Sequence, residues 1–346
     1  MRAGAEGPGG AAGARGRRGL LGSSAVSDAI PATLGPYRVV RRIGRGGMAE
    51  VFLAVRYGAS GFEKQVAVKV LRSEHHGRAE IERLLIAEAK IGARFSHPGL
   101  VHVHDLGLHA GAYYVVMDFV DGADLAALLG RRALPLPLAL WLAEQVALAL
   151  AYVHALRDEL GRPLGLVHRD VSPGNVLVSR TGDVKLADFG IAKATALRDI
   201  TWGRMLKGKF AYMSPEQVAG EAVTPASDQF ALGIALYELL LGARPFDGPG
   251  PLPTMDNIRR AELPDDPELL SLPPPLPTVL RRCLAREPGG RYADLAAVAR
   301  ELQAARLHLP PVGPIELGRW VSEVLAGSGP ALQASPPATA GLDTQG

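Results

Sequence analysis

The hydrophobic pattern changes character twice along the chain. Residues 1–35 are rich in Gly, Ala, Arg and Ser and show no period, a composition expected to stay disordered. From Tyr37 the runs YRVVRRIG, VFLAVRYG and KQVAVKVL, rich in Val and separated by glycine-bearing turns, predict three antiparallel strands. Over 78–95 the spacing of Ile81, Leu84, Leu85, Ala87 and Ile91 is helical, and LVHVHDLGLH and AYYVVMDFV then read as two further strands. These predict a five-stranded sheet with one helix over 36–121. Beyond Gly122 apolar helices take over at 124–129, 137–160, 227–241, 276–286 and 293–307. The longest apolar run, 134–156, carries Glu144, Gln145 and His154 and opens on prolines, so it reads as a buried core helix and no membrane contact is expected. Residues 308–346 read as a mostly disordered extension. One amphipathic stretch in it, 316–325, either packs on the helical unit or binds a partner; packing is the favoured reading.

At 47% hydrophobic and 21% charged residues, the 346-residue chain is neither fibrous nor disordered as a whole. Its net charge of +3 equals that of residues 1–20, where four Arg face one Glu. The remainder is balanced, so no sustained basic surface for nucleic acid is expected. Cys283 is the one cysteine, which rules out an intrachain disulfide and a multi-cysteine metal site and fits a reducing, cytoplasmic setting. It reads as a small core residue. His102 and His104 alternate on a strand; without a third ligand in view, a solvated strand face is the plainer reading.

In IGRGGMAEV, Gly44, Gly46 and Gly47 would let backbone N–H groups approach an anionic phosphate. The chain continues from Val51 as a strand and not as a helix, so the segment is a hairpin lid or a plain surface turn rather than a dinucleotide fingerprint. It is followed in order by V-A-V-K ending at Lys69, H-R-D-V-S-P-G-N from His168 to Asn175, D-F-G from Asp188, and S-P-E ending at Glu216. This ordered set resembles the protein kinase family over about 37–307. Its GGM loop and SPEQ segment look most like bacterial serine/threonine kinases of the eukaryotic type.

The resemblance implies an α+β, two-lobed kinase fold: a small antiparallel five-stranded lobe with one helix (36–121) and a mostly helical lobe (122–307). It implies transfer of the γ-phosphoryl group of ATP, with Mg²⁺, to Ser or Thr hydroxyls of protein substrates, including the kinase itself. In that pattern Lys69 holds the α/β-phosphates and is held by Glu88, with Glu82 the competing acid; Asp170 orients the hydroxyl; Asn175 and Asp188 bind the metal. The lid Ile43, Gly44, Arg45, Gly46, Gly47, Met48, Ala49, Glu50, Val51 would cover the nucleotide. Ile43, Val51, Ala67, Met117 and Leu177 would sandwich adenine, backbone from Asp118 to Val120 would hydrogen-bond it, and Asp124 would meet the ribose. His168 and Phe189 would pack internally, Asp228 would anchor the catalytic loop, and Glu216 would pair with Arg291. Arg169 beside Asp170 suits an anionic group in the activation segment, for which Thr201 and Thr195 are the candidates, either phosphorylated or plain loop residues. A homodimer or a regulatory protein would supply the input.

Four positions depart from the family pattern. Ala49 replaces the third loop glycine. Ser172 stands where most serine/threonine kinases have a lysine that touches the γ-phosphate, and Lys209 where they have a threonine. Either Lys209 delivers its ammonium to the vacated place, or it is exposed and the enzyme is crippled. Gly92, four residues after Glu88, replaces a bulkier apolar residue, which suggests a loosely held helix that Gly92→Leu would dock more firmly. A small-molecule kinase and an ATP-binding pseudokinase scaffold are the rival readings; the SPE segment argues against the first.

Overall fold

The computed structural model describes residues 31–189, 209–264 and 266–327. Its first sheet has β1 (Thr33–Leu34), β2 (Tyr37–Arg45), β3 (Ala49–Tyr57), β4 (Glu63–Leu71), β5 (Val103–His109) and β6 (Ala112–Asp118) in the order β1-β2-β3-β4-β6-β5, with every pairing antiparallel. The sheet therefore has six strands where the sequence predicts five. The added β1 places Leu34 opposite Tyr37, both buried, and two residues are too few to show a period. Helix α1 (Ala79–Gly92) lies on one face through Leu85 and Ala89, packed with Leu71 and Val115. Phe52, Val68 and Tyr114 cluster separately within this lobe.

A three-stranded sheet, β7 (Gly122–Asp124), β8 (Val176–Ser179) and β9 (Val184–Leu186), opens the second lobe. Around it stand α2 (Leu125–Leu129), α3 (Leu136–Ala155), α4 (Pro215–Ala219), α5 (Pro225–Leu241), α6 (Pro251–Arg260), α7 (Pro267–Ser271), α8 (Leu276–Cys283), α9 (Leu295–Arg306) and α10 (Pro314–Ala326). Helix α3 is long and apolar enough to cross a membrane, yet 61% of its most apolar window is buried within the fold, where α5 and α9 pack on it. Its Glu144 is paired with Arg306 of α9. The two lobes are stitched by Val101 N–H to Leu186 O (3.0 Å) and Leu186 N–H to Gly99 O (2.9 Å).

The stretch 316–325 packs. Leu317, Trp320, Val321 and Val324 of α10 join the core of the helical lobe, which thus continues past the expected boundary at 307 to Ala326. Each fully buried side chain of this size contributes about 1.5–3 kcal/mol, so the helix is held by its apolar face.

Candidate active site

Strand β4 presents Lys69 between Val51 of β3 and Val115 of β6, one strand away from the glycine loop. Its Nζ donates to Glu88 Oε1 of α1 at 2.9 Å and to Asp188 Oδ1 at 2.8 Å. Burial opposes the charge on Lys69, but the two carboxylates prevail and hold the ammonium protonated well above its ordinary range. Burial pushes Glu88 up, against Lys69 and with help from Asp188. Glu82, the competing acid, instead accepts Gly77 N–H at 2.9 Å. Asp188 sits at φ +55°, a left-handed backbone uncommon for a residue with a side chain.

Gly92 is no gap in the packing. A Cβ there would lie 2.6 Å from Val103 Cγ2, so β5 already fills the space that a larger side chain at 92 would need. The helix is docked, with Glu88 on Lys69, and the expected loosening of α1 is corrected: glycine permits the close approach of α1 to β5.

The catalytic loop hangs on one buried carboxylate. Asp228, near the N-terminus of α5, accepts His168 N–H at 2.7 Å, Arg169 N–H at 2.8 Å and the His154 ring at 2.8 Å. Arg169 is held at φ +68°, and Gln217 Nε2 donates to its carbonyl at 3.2 Å. Gln217 is placed by a capping box with Ser214 at the start of α4. His168 is fully buried, and burial pushes it down to the neutral ring; Nδ1 accepts Asp170 N–H (3.3 Å), which leaves Nε2–H to donate to Ala187 O (3.1 Å). Phe189 packs on His168 and Phe95, with ring centroids at 4.4 and 4.6 Å. Asn175 Nδ2 donates to Asp170 O at 2.7 Å.

Below α4, Arg291 grips Glu216 with two bonds, Nη1 to Oε1 at 2.9 Å and Nη2 to Oε2 at 3.0 Å, and Ser227 Oγ adds a third at 2.6 Å. Burial works against the Glu216 charge, but Arg291 and Ser227 keep its carboxyl below the usual range.

Around the cleft, Leu177 of β8 lies opposite Asp124 of β7 in register. Asp124 caps α2, accepting Ala127 N–H at 2.8 Å. In the lid, Gly46 N–H closes a turn on Ala49 O (2.8 Å), and Arg72 N–H holds Met48 O at 3.0 Å. The Glu50 side chain pairs with Arg42 (2.9 Å) and Arg45 (3.4 Å), which ties the two strands of the lid together across its turn. Thr195 and Thr201 lie outside the described residues. So does the side chain of Lys209, whose backbone opens the short turn Lys209–Tyr212. Ser172 is buried, 4% exposed.

Sequence reasoning missed a clamp behind the hinge. The Asp118 carboxylate accepts His104 Nε2 at 2.8 Å, Lys185 Nζ at 3.0 Å and His102 N–H at 3.3 Å. Burial opposes its charge, yet these partners, led by Lys185, hold it low. His102 Nδ1 bonds Phe95 O at 3.0 Å, so His102 and His104 both serve the fold. Gln217 was legible through its S-x-x-Q spacing; Lys185, three residues before Asp188, carried no such signal.

Comparison with known proteins agrees with this geometry. The model of the protein kinase domain matches residues 37–303. Tyrosine-protein kinase MasK of Myxococcus xanthus is 37% identical over 83% of this chain and 46% of its own length. Serine/threonine-protein kinase PknA of Mycobacterium tuberculosis is 38% identical over 84% of this chain and 66% of its own, and PrkC of Bacillus subtilis 34% over 78% and 40%. The chain thus spans two thirds or less of these relatives. The crystal structure of the M. tuberculosis PknI kinase domain superposes with a TM-score of 0.59 at 31% identity, covering 80% of this chain and 99% of that one. With the motifs in one cleft and the domain matched over most of its length, the chain belongs to the protein kinase family.

Proposed function

We propose that the chain is a protein serine/threonine kinase that transfers the γ-phosphoryl group of Mg-bound ATP to protein hydroxyls, its own included, in cytoplasmic bacterial signalling. The observation that carries this reading is the Lys69 ammonium held between Glu88 and Asp188. Phosphoryl transfer needs charge neutralisation and alignment more than covalent chemistry, and this bridge fixes a cation beside a metal-binding carboxylate. In the reaction Lys69 would bind the α/β-phosphates, and Asp170, one residue past the amides gripped by Asp228, would align the hydroxyl and accept its proton.

Asn175 and Asp188 fit Mg²⁺: both offer oxygen to a hard cation, and the Nδ2 bond to Asp170 O fixes which way the Asn175 amide faces. When bound, the ion neutralises charge on the phosphate oxygens. Specificity for Ser and Thr is favoured because the catalytic loop HRDVSPGN lacks the A-A-R of the tyrosine class, although MasK is named for tyrosine. The partners would be protein substrates and either a second copy or a regulatory protein.

Buried Ser172 favours a second reading, an ATP-binding pseudokinase scaffold. Lys209 decides between them if its ammonium replaces the missing lysine: Lys209→Met then lowers turnover at least tenfold, whereas activity near wild type removes Lys209 from the mechanism. The primary test incubates wild type and Asp170→Asn with Mg²⁺ and γ-labelled ATP and maps label by mass spectrometry. Label on Ser or Thr in wild type alone, Thr195 and Thr201 first, is expected. Label on Tyr alone overturns the specificity, and tight ATP binding without label establishes the scaffold.

A further inference from the structure

Helix α10 lies beyond the matched kinase domain, yet it touches β8 and α2 of the second lobe. It grips the β8–β9 turn backbone to backbone. A Cβ on Gly182 (φ +88°) would fall 1.8 Å from Pro314 O, and one on Gly318 would fall 2.6 Å from Arg180 O and 2.9 Å from Thr181 C. Two glycines, one on each element, therefore permit a contact that no side chain would allow. The turn is stiff, because Ser179 Oγ and Thr181 Oγ1 both donate to Asp183 Oδ2, at 2.8 and 2.7 Å.

From this turn two short paths lead to the cleft. Strand β8 runs back from Ser179 to Leu177, on the expected adenine floor, and starts beside Asn175. Arg180 N–H donates to Asp121 O at 2.8 Å, which ties the turn to the segment leading into β7 and Asp124. A third tie, Arg132 Nη1 to Glu323 Oε2 at 3.0 Å, joins α10 to the chain just after α2, the helix that Asp124 caps. Leu317 and Val321, fully buried, anchor α10 in the same core as Leu125 and Leu128 of α2.

We propose that α10 is a positioning element of the nucleotide site: by gripping the β8–β9 turn and bracing α2 it sets the floor of the cleft. This rests on the reading of the cleft as an ATP site. Coupling of this kind is reciprocal, so nucleotide must tighten the docking of α10 by the factor with which docked α10 tightens nucleotide.

Two measurements on the full chain test it. Hydrogen exchange over 314–326 is compared with and without Mg²⁺ and a non-hydrolysable ATP analogue; slower exchange with nucleotide is expected, and unchanged exchange on a chain that binds the analogue overturns the proposal. The dissociation constant of the same analogue is then measured for Gly318→Ala, whose methyl meets Arg180 O, and for Leu302→Ala, a core truncation in α9. Gly318→Ala is expected to weaken binding about fivefold or more, with Leu302→Ala within twofold of wild type. Equal weakening by both variants overturns the proposal, because α10 would then only stabilise the lobe. If Gly318→Ala does not fold, Glu323→Ala, which removes only the Arg132 tie, is expected to weaken binding about twofold, and no change overturns the proposal. A wild-type chain that binds no nucleotide overturns the ATP reading itself, and this inference with it.

Discussion

Two Glu–cation pairs, one in each lobe, are built differently. Lys69–Glu88 is a single bond at 2.9 Å between side chains 15% and 19% exposed, and the same ammonium is shared with Asp188. Glu216–Arg291 is bidentate between side chains 6% and 0% exposed, and Arg291 also donates to the carbonyls of Ala285, Ala226 and Arg286. A pair whose cation is shared with a second carboxylate, as the proposed phosphate-binding role of Lys69 requires, keeps bonds that can be exchanged. A pair that holds the scaffold saturates its donors and leaves nothing to exchange. The contrast teaches that equal chemistry can be built to exchange partners in one place and to hold the scaffold in another, with burial and saturation deciding which.

The largest expected effect lies in the saturated pair. Arg291→Ala leaves Glu216 buried without its partner and should cost about 3–5 kcal/mol in chemical denaturation; a loss near zero would erase the distinction. Next, Lys69→Met should lower kcat/KM about 100- to 1000-fold, or ~2.7–4 kcal/mol of transition-state stabilisation, with the melting temperature little changed; a comparable fall in stability would make this pair structural too. Gly92→Leu should cost about 1–3 kcal/mol by overpacking against Val103 and should lower activity as α1 is pushed off; higher activity would reinstate a loosely held helix.

The smallest effect separates the pairs by pH. The Glu216 carboxyl is lower in the folded chain than its ordinary value of about 4.3, so its stabilisation is present above that pH and is lost as pH falls through the folded value. Glu88 is raised, so its contribution to stability is present below the ordinary value and is lost as pH rises through the folded one. Acid therefore removes no stability through Glu88, but it breaks the Lys69 pair by protonation. From pH 7 downward, kcat/KM should fall before the melting temperature does, and coincident acid limbs would show that one pair governs both.

Much of this was legible in the sequence where function concentrates residues in contiguous motifs. Lys69, Asp170, Asn175 and Asp188 could be named from V-A-V-K, the H-R-D loop and D-F-G alone, and the long strands and helices from their periods. What escaped depends on chain segments far apart in sequence. The partners of Asp118 come from β5 and β9, and the grip of α10 on the β8–β9 turn rests on Gly182 and Gly318, which look like any other glycines. Strand β1 is too short to carry a period, and α6, only ten residues long, opens on Pro-Leu-Pro with few apolar positions to mark one. Gly92 misled because a gap in a family pattern says nothing about which neighbour fills it.

Helix α3 has a consequence for synthesis. Its partners α5 and α9 begin at residues 225 and 295, so at ~5–20 residues per second the ribosome delivers α9 about 7 to 30 s after α3 has emerged. Throughout that interval the nascent chain displays a segment with the length and hydropathy of a membrane span. Glu144 is the mark against misinsertion, since a carboxylate near the middle of an inserted helix costs about 2.5–3.5 kcal/mol. The residue that later pairs with Arg306 inside the fold is thus also the charge that sets α3 apart from a membrane span before its partners arrive.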